Sequence, residues 1–448
     1  MAEMLRKPPK KAWITTAAGT AINLCLGILY AWSIWKKALV DVDLAGQPMT
    51  GINEGWHYLT NAQAATPFSL CVLIFAVMMI PGGRIQDKFS PKFGALLGGV
   101  LLALGCIIAG LMKSYAGLIL GFGIIGGIGM GLGYAAPTPA ALKWFGHKRR
   151  GLVAGIVVAG YGGAAIYIGI LGQLLIDRLG ITGSFVALGI LFALVVIITS
   201  RLLYEPPQGY VPPTPVKTAV ETDHSLSGKK DWTAIEMLKT WQFYALVFMF
   251  MLSTQSGLLI IANAAGLLKD SGNSVPFLLA NAWILVSYGG LVNASGRVAT
   301  GWYSDKLGRN TAYLINCSIS ALCLFSLPFV ISTRNVVLLF LVVGIAYWQY
   351  GGGLSLLPSI TADFYGEKNL GVNYGLVFLG WGLGFFMARL GGTIEDITGS
   401  LNYAFYISGA LLIVGVVLSR IVKKPTAVKE QRSQSPAVAT SQQGLAQS

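Results

Sequence analysis

The stretch NASGRVATGWYSDKLGR, residues 293–309, begins as an apolar helix and ends as a charged loop, and Arg297 falls in its apolar half. Between Asp270 and Asp305 it is the only charge. A guanidinium at the centre of a bilayer costs roughly 2.5–3.5 kcal/mol on insertion scales, so it should face a wet cavity and have a partner. None is encoded: all 18 Asp and Glu lie in loops, in tails or at the ends of apolar runs. The counter-charge is then best supplied by a visitor. The rigid donor fork of arginine matches a carboxylate through two parallel hydrogen bonds, which points to a small organic anion. The competing reading is an arginine that snorkels to the nearer surface, about six residues or ~9 Å along the helix.

Asn293, one turn earlier on the same face, is placed to donate to the same anion. Gln173, Gln255 and Asn263 are further polar candidates inside apolar runs. Tyr30, Trp32, Tyr134, Tyr161, Tyr350, Phe378 and Trp381 would complete an aromatic cage, although aromatics in membrane helices commonly pack or sit at interfaces. Proton coupling usually employs an intramembrane carboxylate or histidine. The nearest candidate is Asp270, at the far end of the seventh run. The three histidines, at 57, 147 and 224, fall in loops or at run ends, and the five cysteines sit inside runs without metal-ligand spacing. No nucleophile–base pair or metal cluster falls within the runs, so neither an enzyme nor a metal or other cofactor is expected.

The elements that must hold Arg297 are dictated by composition. With 54% hydrophobic and 11% charged residues over 448 positions, and a mean hydropathy of +0.65, the chain is outside the range of soluble domains. Apolar runs of about 20 residues, the length that crosses a bilayer, fall at 13–35, 60–81, 93–112, 115–139, 151–174, 183–203, 242–268, 279–303, 311–332, 336–360, 370–390 and 401–421. An all-α membrane protein of twelve spans follows. The net charge of +14 is topological: with the N-terminus placed in the cytoplasm, 24 of the 32 Lys and Arg fall on that side and 7 on the other. That bias puts both termini in the cytoplasm of a cell (inner) membrane and excludes a nucleic-acid footprint.

Residues 204–240, rich in Pro, Ser, Thr and Lys, read as a cytoplasmic linker between two six-helix bundles, 13–203 and 241–422, with short tails at 1–12 and 423–448. The halves repeat. Gly83, Asp87 and Lys88 after the second run match Gly301, Asp305 and Lys306 after the eighth at a shift of 218, and Lys92 and Arg309 add cations beyond them. Gly121, Gly123 and Gly126 satisfy a dinucleotide-binding pattern, but no strand precedes them and no carboxylate follows at the required distance. Glycines this dense serve close helix packing instead.

The paired Gly-Asp-cation loops resemble the signature of the major facilitator superfamily. There the glycine permits close helix approach and the aspartate caps a helix and latches one conformer. LGILYAWSIW, GLGYAAPTPAALKWF, GLVAGIVVAGYGGAA, MLKTWQF, SGRVATGWYSDKLGR, LLPSITADFYG and NYGLVFLGWG together resemble one branch, the oxalate:formate antiporter family, related to monocarboxylate transporters. The resemblance implies two pseudo-symmetric bundles rocking around a central site, with Arg297 binding substrate carboxylate and Tyr30, Tyr134 and Tyr161 lining the cavity. The oxalate exchanger has a second cation in helix eleven, and here that position is Trp381. One arginine balances a monoanion, whereas a dianion would leave a buried charge uncompensated at a cost of several kcal/mol. The expectation is therefore a monomeric secondary transporter of a lactate-, pyruvate- or formate-like acid, with protons as a possible second cargo. An oxalate-type exchanger and a non-transporting carboxylate sensor are the alternatives.

Overall fold

In hydrocarbon every backbone N–H and C=O must be satisfied within the chain, so the apolar runs form helices. The computed structural model describes residues 8–145, 147–207, 210, 231–270, 275–366 and 369–425. Most of the linker, His224 and the tail from 426 onward lie outside the described residues, as do the side chains of Asp87, Asp270 and Asp305. Among the described residues there is no β-strand, only two isolated bridges.

The N-terminal half contains α1 (Lys10–Leu39), α2 (Asn61–Lys88), α3 (Pro91–Leu111) and α4 (Tyr115–Leu142). α5 and α6 share the continuous stretch His147–Ser200 and part at Gly180, whose φ of 70° is one that few residues other than glycine adopt. The C-terminal half contains α7 (Trp241–Asp270), α8 (Trp283–Leu307), α9 (Arg309–Ser332), α10 (Val336–Tyr365), α11 (Val372–Thr398) and α12 (Asn402–Ile421). Length and apolarity alone select ten of these as spans. The count reaches twelve because Gly155–Ser200 holds two crossings and α8, carrying Arg297 and a charged end, is too polar to stand out by apolarity alone.

Local signals set several starts. Thr60 and Gln63 form a reciprocal capping box on α2, Ser90 caps α3 with Pro91 in its first turn, and Asn335 caps α10. The short helix Ala234–Leu238, capped by Thr233 and Glu236, ends the linker. It docks on the C-terminal half, where Asn369 and Asn373 donate to the Trp232 carbonyl.

The packing repeats as the sequence does. Inside the halves α3 lies on α6 and α9 on α12; between them α2 lies against α11 and α5 against α8, each pair the counterpart of the other under the same duplication. The glycine-rich α4 packs on α3 so closely that a Cβ at Gly129 would lie 2.4 Å from the Leu102 nitrogen, as the glycine density predicts. An even number of crossings puts both termini on one face. At the opposite face Lys36 pairs with Glu395, and the Asp396 carboxylate accepts from the Asn61 and Ala62 amides at 2.9 and 2.8 Å, closing the halves there. All five cysteines are buried free thiols.

Candidate functional site

α1 is interrupted midway by a 3₁₀ turn, Gly27–Ala31, that turns Tyr30 into the seam between the halves. Arg297 of α8 meets it there, 5% exposed. The guanidinium does not snorkel. Its Nη2 donates to the Tyr30 hydroxyl at 3.1 Å, its Nε to Asn293 Oδ1 at 3.0 Å and its Nη1 to the Val158 carbonyl at 3.5 Å. Two of these acceptors belong to the opposite half. Among the described residues no carboxylate lies within ion-pairing distance of it.

Nine side chains enclose a small cavity at this point. Arg297, Tyr30, Tyr134, Tyr161, Phe378 and Trp381 are six of them, and they were singled out by the sequence; Phe75, Leu354 and Tyr374 were not. The rings lock edge to face: Tyr30 and Tyr134 each lie 5.1 Å from Tyr161, and Phe75 lies 5.0 Å from Trp381, itself stacked on Phe378 at 5.1 Å. Seven aromatic residues and one cation make a low-dielectric chamber in which a fixed positive charge acts on an anion far more strongly than in water. Its volume is ≈ 20 Å³, room for about one water. The rings must part before any carboxylic acid can enter.

Two expected ligands stand behind the cavity wall. Asn293 is fully buried and does not line the cavity; its Oδ1 accepts from Arg297, and its Nδ2 has no hydrogen-bond partner among the described residues. Tyr350 bonds to Tyr30 at 3.1 Å and receives the Trp381 indole N–H at 2.9 Å, bracing two wall residues. The other polar candidates are elsewhere. Gln173 donates to Asp177, Gln255 to the Ser408 carbonyl, and Asn263 accepts from Lys36 near the face away from the termini. Trp32 packs on Phe122 at 4.4 Å inside the N-terminal half.

A small residue that the sequence did not flag also positions the arginine. An added Cβ at Gly351 of α10 would lie 2.2 Å from the Asn293 carbonyl oxygen and 2.8 Å from its Oδ1. Gly351→Ala should therefore push α8 away, with a loss of about 1–3 kcal/mol of stability typical of overpacking and weaker anion binding together. A thermal unfolding series with and without substrate reads both.

The duplicated loops differ from expectation. Gly83 and Gly301 would each meet no atom within 4 Å on gaining a Cβ, so neither marks a close helix approach in this conformer; on α2 it is the adjacent Gly82 that packs against α4, 3.0 Å from the Gly131 oxygen for an added Cβ. Lys88 lies 5.7 Å from the centre of the Phe89 ring and Lys306 4.0 Å from that of Trp302. Arg309 pairs with Asp363 at 3.4 Å and donates to Ser304 within its own half.

Two helical halves meeting around a central site are the plan of a membrane transporter that alternates access to it. The chain belongs to the Major Facilitator Superfamily, whose family model matches residues 12–388. It is 27% identical over 398 residues to the oxalate:formate antiporter of Oxalobacter formigenes, covering 88% of this chain and 87% of that one. It is 27% identical over 377 residues to monocarboxylate transporter 12 of Xenopus laevis, at 77% and 78% coverage. The crystal structure of a D-xylose–proton symporter superposes with a TM-score of 0.66 over 92% of this chain and 98% of that one, at 16% identity. These relatives are transporters, not enzymes, and this chain is a multi-pass membrane transporter.

Proposed function

We propose that the protein carries a small monocarboxylate, of the lactate, pyruvate or formate type, across the cell membrane by alternating access, as a monomer with both termini in the cytoplasm. The observation that carries this reading is Arg297: a buried cation in an aromatic wall, held by neutral acceptors with no carboxylate beside it among the described residues. A substrate carboxylate replaces the Tyr30 hydroxyl and the Val158 carbonyl as acceptors for the fork. Because those two belong to the N-terminal half and Arg297 to the C-terminal half, binding exchanges a direct tie between the halves for one that runs through the substrate. The names of the two relatives support carboxylate cargo. The absence of a second cation lining the cavity, with Trp381 bonded to Tyr350 instead, favours a monoanion over oxalate.

The test is counterflow in proteoliposomes loaded with unlabelled acid, with short mono- and dicarboxylates competing against labelled lactate or formate. Monocarboxylates should compete and oxalate should not. Equal competition by dicarboxylates would remove the charge-balance argument, and absence of any counterflow would remove the transport reading.

A further inference from the structure

A second polar cluster lies between the halves, near the face away from the termini. Lys36, two turns beyond Tyr30 on α1, places Nζ 3.0 Å from Glu395 Oε2 of α11 and donates to Asn263 Oδ1 of α7. The lysine side chain is 8% exposed and the glutamate 17%. One ammonium thus ties the N-terminal half to two helices of the C-terminal half. The pair is nearly dry on the protein side, but it also borders a cavity of ≈ 330 Å³ that Asp41 and Asp43 of the following loop help to line. Water reaches the carboxylate from that face.

We propose that Glu395 is the proton-binding site of the transport cycle and that its ion pair with Lys36 is the lock on this face. A proton arriving through the cavity bonds to Oε2 and leaves a neutral carboxylic acid; Lys36 keeps its three protons and its bond to Asn263. The coulombic tie between the halves is then gone, and the Lys36–Asn263 bond and the hydrogen bonds of Asp396 to the start of α2 are what is left to part. The charge count sets the stoichiometry. The closed pair is neutral, protonation leaves +1, and a monocarboxylate arriving at Arg297 restores the balance, so one proton accompanies one anion.

The groups facing Glu395 favour a proton over any other ligand. α1 offers Lys36 and Lys37, and the loop after it Asp41 and Asp43. Among the described side chains α7 offers Asn263, and α2 offers Asn61 and no charge. On α11 itself Asp396 is turned to α2, and Arg389 donates to Thr393. Three carboxylates against two ammonium groups line the cavity, a balance that repels a free carboxylate and attracts protons.

This proposal rests on the transport reading above, and one set of liposome assays separates the two. An inward gradient of one pH unit should drive up to about tenfold accumulation of substrate by the wild type, with acidification of an internal pH dye. Glu395→Gln keeps the shape and hydrogen bonding but cannot titrate; it should accumulate near onefold and still exchange labelled for unlabelled acid, more slowly. Glu395→Asp, which keeps the titratable group, should recover most of the accumulation; exchange retained without accumulation in Glu395→Gln is the outcome a purely structural role would not give. Gradient-driven accumulation by Glu395→Gln equal to that of the wild type would overturn the assignment. So would wild-type counterflow with no proton entry, which leaves the transport reading intact. A wild type without counterflow overturns both.

Discussion

Arg297→Lys should lower the apparent affinity for the carboxylate by roughly 30-fold or more, and Arg297→Ala should leave no measurable transport. Truncating one partner of a buried charge pair costs about 2–5 kcal/mol, and about 1.4 kcal/mol is tenfold in affinity. The lysine variant is the informative one because it keeps the charge. The guanidinium serves Asn293, Tyr30 and the Val158 carbonyl from three nitrogens at fixed angles, and a compact ammonium cannot reach all three from the same backbone position. It also presents a point charge in place of a fork, so a carboxylate loses its second parallel bond. Counterflow at increasing substrate concentration measures the effect, and the unfolding midpoint in detergent reports whether the fold survives. Wild-type affinity in the lysine variant would mean that the anion binds elsewhere.

The arginine was legible because a lone charge in hydrocarbon is a rare event with few explanations. Its aromatic surroundings were legible only in part, since Phe75 and Tyr374 carry no feature that separates a cavity wall from ordinary packing until the helices are assembled. The lock was missed for a different reason. The first and eleventh apolar runs stop at 35 and 390, beside Lys36 and Arg389, but the helices continue to Leu39 and Thr398. Hydropathy treats Lys36 and Glu395 as span ends exposed to water, and only their pairing across the seam buries them. The duplicated loops show the converse. The repeat is visible in the residues, but that Gly83 and Gly301 touch no neighbour emerges only once the helices are assembled, and no local pattern encodes that.

One helix connects the two clusters. Tyr30 accepts from Arg297 at the 3₁₀ turn of α1, and Lys36 lies six residues further along the same element. A substrate that takes the arginine from Tyr30 and a proton that takes Glu395 from Lys36 each remove one charged tie between α1 and the C-terminal half, leaving the neutral-acceptor bonds of Lys36 to Asn263 and of Tyr30 to Tyr350. The two cargoes then act on one rigid body, and opening requires both ties to change, which is a physical basis for coupling without a relay of residues between them.

Trp381→Lys should convert the site to one that accepts a dicarboxylate. The indole fills the seam by stacking on Phe378 at 5.1 Å and donating to Tyr350 at 2.9 Å. A lysine there is smaller, opens the ≈ 20 Å³ chamber and adds a second cation on the side of the cavity away from α8. Two positive charges in a low-dielectric chamber repel one another when it is empty and are balanced by a dianion, so the gain for oxalate and the loss for a monocarboxylate have one cause. The expected result is competition by oxalate where the wild type shows none, with monocarboxylate affinity reduced about tenfold or more, corresponding to ~1.4 kcal/mol. Trp381→Leu separates space from charge: it enlarges the chamber without adding a cation and should admit larger monocarboxylates but not oxalate. Oxalate competition in the leucine variant would show that ring volume, not charge balance, keeps dianions out.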